Sequence, residues 1–150
     1  MQLPKRVQLK EVGPRDGLQN EKAFIPTADK IQLIDRLSET GLDYIEVTSF
    51  VHPKWIPQLA DAVDVLKAIK RNEHVTYAAL VPNAKGLERA LEANIDEVSV
   101  FMSASEGHNQ SNINKSIDET FPILKEVVDG ALAAGKTVRG YISTVIACPY

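Results

Sequence analysis

Short β-branched runs alternating with amphipathic helical stretches predict an α/β fold, and two further observations narrow it to the front half of a (β/α)8 TIM barrel. Candidate strands fall at residues 7–12, 44–48, 75–81, 97–102 and 137–145. The first narrowing observation is a polar face. Tyr44, Glu46 and Thr48 alternate with Ile45 and Val47, and Arg139, Tyr141 and Ser143 alternate with Val138 and Ile142. A strand covered on both sides yet polar on one of them suits a barrel interior near its open end. The second is an absence: no Gly-x-Gly-x-x-Gly follows the first strand, which weighs against the open dinucleotide-binding sheet that shares this rhythm. Four strand–helix units and a fifth strand fill the 150 residues, whereas a complete barrel takes about 250. The chain therefore reads as one domain over residues 1–150, without an internal linker, covering about half of a barrel. Half a barrel has two open strand edges and an uncovered apolar interior, so association into a homo-oligomer, a dimer, is expected.

The helices follow from caps and spacing. Thr27 is placed to cap the first, whose Ile31, Ile34 and Leu37 face inward and which stops at Gly41. Residues 58–70 put Leu59, Ala62, Val63, Leu66 and Ile69 on one face. Asn83 is placed to cap the third helix. Ser116 with Glu119 spells a capping box for the fourth, which ends near Gly135. Pro122 lies beyond the first turn of that helix, which predicts a start later than the box implies. Residues 49–57 and 102–115 read as long loops.

Composition excludes several classes. With 44% apolar, 25% charged and 6% aromatic residues, the chain resembles neither a disordered segment nor collagen nor a coiled coil. A net charge of −3 argues against a nucleic-acid footprint. No run approaches the roughly 18 apolar residues of a membrane span, and MQLPKR carries no apolar signal region. The single cysteine, Cys148, has no internal disulfide partner. Together these lead to an expected cytoplasmic location.

The densest chemistry follows the first candidate strand, in EVGPRDGLQNEK over residues 11–22. Barrel active sites are built at the carboxyl ends of the strands. Gly13-Pro14 and Gly17 permit a sharp turn there that holds Arg15 and Asp16 over the barrel mouth. An aspartate at the mouth can bind a hard divalent cation, and an adjacent arginine can neutralise an oxyanion with a planar fork of donors. The plainer reading is a turn tied by its own Arg–Asp bridge. Glu46, on the polar face of the second candidate strand, can meet Arg15 across the mouth. That is either an ion pair that orders the rim or the orienting partner a catalytic arginine needs.

Asn112 and Asn114 can bond a carboxylate or thioester oxygen, although an Asn-rich loop is more often simply solvated. Trp55 reads as a packing anchor. Arg139 can tie barrel layers together, and Tyr141 lies closer to the mouth. Cys148 reads as inert packing. His52, His74 and His108 show no pairing that would build a metal site.

EVGPRDGLQNEK, IPTADKIQLIDRLSETGLDYIEVTSFVHPKWIPQLAD, VPNAKG, SASEGHNQSNINKSIDE and VRGYISTVIACPY together resemble the 3-hydroxy-3-methylglutaryl-CoA lyase family over essentially the whole chain. The family sits within a wider group of metal-dependent barrels that make or break carbon–carbon bonds beside an acyl-CoA. The Asp–Arg–Glu trio of that group matches Asp16, Arg15 and Glu46. The resemblance implies cleavage of 3-hydroxy-3-methylglutaryl-CoA to acetyl-CoA and acetoacetate, with Mg²⁺ or Mn²⁺, in leucine degradation and ketone-body metabolism. It implies that Asp16 ligates the metal, Arg15 stabilises the enolate oxygen and Glu46 holds Arg15. Gln19, Asn112 and Tyr141 would line the substrate pocket. The family's two histidine ligands, its asparagine ligand and its catalytic cysteine belong to the second half of the barrel, and Cys148 matches a structural cysteine instead. The remaining ligands are thus expected outside this segment, and these 150 residues alone are expected not to catalyse the reaction. The alternatives are a synthase of the same group, condensing onto a 2-oxo acid, and a non-catalytic half-barrel that associates through its open edges. The segment SFVHPKWIPQ favours the lyase over the synthase.

Overall fold

Backbone hydrogen bonding in the computed structural model, which describes residues 3–150, builds one four-stranded parallel sheet. The first two residues of the N-terminal stretch read for a signal, Met1 and Gln2, lie outside the described residues. The strands are β1 (Tyr44–Ser49), β2 (Thr76–Leu80), β3 (Glu97–Ser103) and β4 (Thr137–Ser143), and they neighbour one another in chain order. The helices α1 (Thr27–Ser38), α2 (Ala62–Ala68), α3 (Ala84–Glu92), α4 (Glu106–Ile113) and α5 (Ile117–Ala133) precede and connect them. Parallel neighbours need such crossovers, and chain-order adjacency is the strand order of a barrel wall.

Residues 7–12 do not form the strand expected of them. Glu11 alone joins the sheet, as a single bridge to Ile45: its N–H donates to the Tyr44 carbonyl at 3.2 Å, and Glu46 N–H donates back at 2.8 Å. The segment has β1 on one side and no strand on the other among the described residues. Val7 and Leu9 accordingly stay 73% and 68% exposed.

One apolar core fills the space between helices and sheet. Ile45 and Val47 of β1, Tyr77 and Ala79 of β2 and Val98 and Val100 of β3 pack with Ile34, Val65, Leu66, Leu87, Ala90 and Val127 of the helices. Ile34, fully buried in α1, alone contributes roughly 2 kcal/mol. The opposite face of the sheet carries Tyr44, Glu46, Glu97, Ser99, Arg139 and Tyr141, so the polar face expected of the interior is there. The alternation breaks at one point. A bulge between Glu46 and Thr48 sets Thr48 beside Ala79 of the core and Ser49 beside Leu80, so Thr48 does not continue the face of Tyr44 and Glu46. No helix among the described residues is long and apolar enough to cross a membrane.

Several helix ends differ from expectation. Pro26, not Thr27, precedes the first turn of α1, and the Thr27 hydroxyl donates instead to Asp61 at 2.6 Å. The helix expected over 58–70 is two pieces, a 3₁₀ turn at Pro57–Leu59 and α2, with Asp61 between them outside helical geometry (φ −88°, ψ 19°) and its side chain bonded to Thr27 and Lys30 of α1. Asn83 does cap α3, accepting from Gly86 N–H at 3.0 Å. Ser116 and Glu119 form both bonds of the capping box, and α5 starts where that box places it. Pro122 is accommodated within α5; it only deprives the Asp118 carbonyl of its helical donor. The stretch read as a loop over 102–115 contains α4, capped by Ser105, whose hydroxyl accepts from His108 N–H at 3.3 Å.

Candidate active site

Beyond Val12 the chain makes one tight π-type turn, Gly13–Gly17. Arg15 and Asp16 N–H both donate to the Val12 carbonyl, at 3.1 and 2.7 Å. The Glu11 carboxylate accepts from Gly13 N–H at 2.6 Å, and a Cβ on Gly13 would stand 2.8 Å from that same oxygen, so glycine permits the close approach. The turn aims Arg15 inward. Its Nε donates to Glu46 Oε1 at 2.5 Å and its Nη1 to Asp16 Oδ1 at 2.7 Å. The arginine therefore bridges its neighbour, as the plainer reading has it, and also reaches Glu46 on β1.

Glu46 is completely buried. Its other oxygen accepts from the Tyr141 hydroxyl at 3.1 Å and from Ser99 Oγ at 3.4 Å. A buried carboxylate is tolerable when a cation and further donors surround it, and this one has all of them. Burial, with the Glu46 charge next, raises the Tyr141 phenol above its ordinary value, which keeps it a protonated donor. Deeper in the interior Arg139 Nε donates to Glu97 at 2.8 Å, so Arg139 is the layer tie the sequence suggested. Burial holds the Tyr44 phenol up as well, well beyond the ordinary range.

A cleft of about 990 Å³ opens over this pair, lined by Arg15, Asp16, Gln19, Asn112 and Tyr141 among others. The structure thus brings these five sequence-nominated residues to one wall set, with Glu46 bonded beneath. Three other expectations are corrected. Trp55 is no packing anchor: it is 69% exposed on the loop after β1, where it lines the cleft and leaves the core to Phe50 and Leu59 on either side. Asn114 serves the backbone, ending α4 in the left-handed conformation (φ 55°) and accepting from Gln110 Nε2. Cys148 does not pack in apolar surroundings. Its Sγ lies 2.9 Å from Ser105 Oγ, and hydrogen bonds from that hydroxyl and from the Tyr150 N–H draw it below the ordinary thiol value.

Sequence reasoning missed Asn109, 1% exposed, which accepts from Ser103 N–H and donates to Lys115 O and Thr120 Oγ1. It also missed Phe101 and Lys115, which line the cleft. Asn109 sits three residues before Asn112 on α4, so its bonds fix the helix that presents Asn112.

As a cation site the described residues are insufficient. The Asp16 side chain is half-exposed and shares one oxygen with Arg15, and no three His, Cys, Asp or Glu among the described residues cluster to hold a metal. One carboxylate does not satisfy an ion that takes about six ligands.

Parallel strands in chain-order neighbourhood, with a charged cleft at their carboxyl ends, define half of a barrel-type α/β fold. Comparison makes it particular: the HMGL-like family matches residues 6–147, and the chain belongs to that family. It is 63% identical to the hydroxymethylglutaryl-CoA lyase YngG of Bacillus subtilis over its whole length, which is 50% of that relative. The crystal structure of the Bacillus subtilis HMG-CoA lyase superposes with a TM-score of 0.98 over 100% of this chain and 50% of that one, at 63% identity. A lyase from Acinetobacter baumannii, solved with coenzyme A and 3-methylmalate, superposes at 0.91 with 40% identity, over 95% of this chain and 47% of that one. The chain thus spans about half the length of the relatives it matches, and the half-barrel reading stands.

Proposed function

We propose that this chain is the front half of a hydroxymethylglutaryl-CoA lyase, cleaving 3-hydroxy-3-methylglutaryl-CoA to acetoacetate and acetyl-CoA. The observation that carries this is the Arg15–Glu46 pair at the mouth of a cleft large enough for an acyl-thioester. In the reaction the tertiary hydroxyl loses its proton to a base, the carbon–carbon bond beside it breaks, and the released electron pair passes onto the thioester oxygen. Reprotonation of the enolate carbon then gives acetyl-CoA. Arg15 has Nη2 free of the bonds to Glu46 and Asp16, and it supplies positive charge where the enolate oxygen forms. Glu46 orients the guanidinium, and the Tyr141 and Ser99 hydroxyls orient Glu46. Gln19 and Asn112 bound the space in which the substrate's carboxylate and thioester lie.

Asp16 would be one ligand of a divalent cation, Mg²⁺ or Mn²⁺, whose other ligands come from outside these residues. The full protein is further proposed as a cytoplasmic homodimer working in leucine degradation and ketone-body metabolism. The test is Arg15→Gln in the full-length protein. Turnover should fall at least ~10²-fold with the fold intact, the scale of losing one oxyanion donor. A near-wild-type rate overturns the role. The 150-residue chain alone should release no acetyl-CoA.

A further inference from the structure

Lys30, in the second turn of α1, is only 3% exposed and takes no part in the chemistry above. Its ammonium donates to Asp61 Oδ1 at 2.7 Å and to the Gln58 carbonyl at 2.5 Å, and its third side rests 4.2 Å over the Phe24 ring. Thr27 completes Asp61 from α1, and Gln58 Nε2 reaches back to the Glu21 carbonyl at 3.0 Å. Two loops meet at this point. One runs from the Arg15 turn through Gln19 and Glu21 to Phe24; the other runs from β1 through Lys54 and Trp55 to Gln58. They form adjoining walls of the cleft. A buried ion pair is weak support for stability, since apolar residues of the same volume usually serve as well or better. What this one does is hold the second loop, through Gln58 and Asp61, against α1 and the Phe24 end of the first.

We propose that Lys30 is a positioning residue, a clamp that sets the spacing of the two cleft walls and so the fit of the acyl-CoA. The ligand's identity rests on the lyase reading; the clamp itself does not. The test uses Lys30→Met combined with Asp61→Asn, which removes both charges and leaves no uncompensated buried ion to unfold the chain. Hydrogen exchange on the full-length protein then reads the Trp55, Leu59 and Ala60 amides, which bond within the second loop to His52, Ile56 and Pro57 carbonyls. These should exchange at least ~10-fold faster while β2 amides stay within about twofold, the mark of local opening. Unchanged loop amides, or equal acceleration in β2, overturn the clamp.

In the full-length protein the same pair of changes should raise KM for 3-hydroxy-3-methylglutaryl-CoA about tenfold with kcat within about twofold, the pattern of lost uniform binding. An unchanged KM beside faster loop exchange overturns the link to substrate fit. If the unsubstituted full-length protein turns over no 3-hydroxy-3-methylglutaryl-CoA, the lyase reading fails, and the exchange result still decides the clamp.

Discussion

Replacing Glu46 with alanine removes the group on which the interior polar network converges. Three donors lose their acceptor at once: Arg15 Nε, the Tyr141 hydroxyl and Ser99 Oγ. Truncating one member of a buried ion pair costs about 3–5 kcal/mol, because the other charge is left without compensation. Two features lower that figure here. The Arg15 side chain is 16% exposed and keeps its bridge to Asp16, so it is not wholly stranded. The unsatisfied Tyr141 hydroxyl adds back about 1 kcal/mol. The expected loss is about 3 kcal/mol. With a urea dependence of about 2 kcal/mol per molar, the unfolding midpoint should fall by about 1.5 M. The control is Arg15→Met with Glu46→Leu, which removes both charges and should unfold within about 1 kcal/mol of the parent. A single variant within about 0.5 kcal/mol of the parent, or a double variant as weak as the single, would refute the claim that the pair, and not mere side-chain volume, governs this site.

Tyr141→Phe should remove one tyrosine absorbance step above the ordinary value of 10.0 and leave that of Tyr44, since burial and the Glu46 charge hold the Tyr141 phenol protonated; an unchanged titration curve would contradict the assignment. Ser116→Ala should cost about 1 kcal/mol in thermal or urea unfolding, through loss of the α5 cap. The other half of that cap depends on pH. Glu119 is held below its ordinary 4.5 by the Ser116 N–H, so its folded value lies under its unfolded one. Its stabilisation is therefore complete above about pH 4.5 and lost as the pH drops through the depressed value. The melting difference between the parent and Glu119→Gln should close over that acid range. Asp16→Ala should leave unfolding nearly unchanged, as its side chain is half-exposed, while weakening Mn²⁺ affinity in the full-length protein by calorimetry.

What could be read from residues alone was what the covalent pattern dictates locally. The twofold alternation around Glu46 announced an interior carboxylate, and a charged turn one strand away announced its partner; both are short-range signals that tertiary packing left intact. The Ser116 box was equally local, and it outweighed Pro122 because the missing N–H falls where one lost bond is affordable within a 17-residue helix. α4 was hidden because EGHNQSNI has no apolar stripe; it is held by Asn109 bonding to Ser103, Lys115 and Thr120, contacts that no periodicity reports. The strand expected at 7–12 failed for the opposite reason. Its β-branched pattern was real, but a ladder needs neighbours, and a single bridge through Glu11 is what the sheet offers. Trp55 misled because a lone tryptophan between prolines has no sequence signature that separates packing from exposure.

The bond from Tyr141 to Glu46 joins the first and last members of a four-membered sheet. Laid flat, those two would stand about 14 Å apart, three times the usual spacing. A phenol that reaches its carboxylate at 3.1 Å is thus a chord drawn across an arc. The arginine's aim hangs from the carboxylate end of that chord, so any strain that flattens or tightens the curve will swing the guanidinium with it, and the site's alignment becomes a reading of how tightly the wall is rolled.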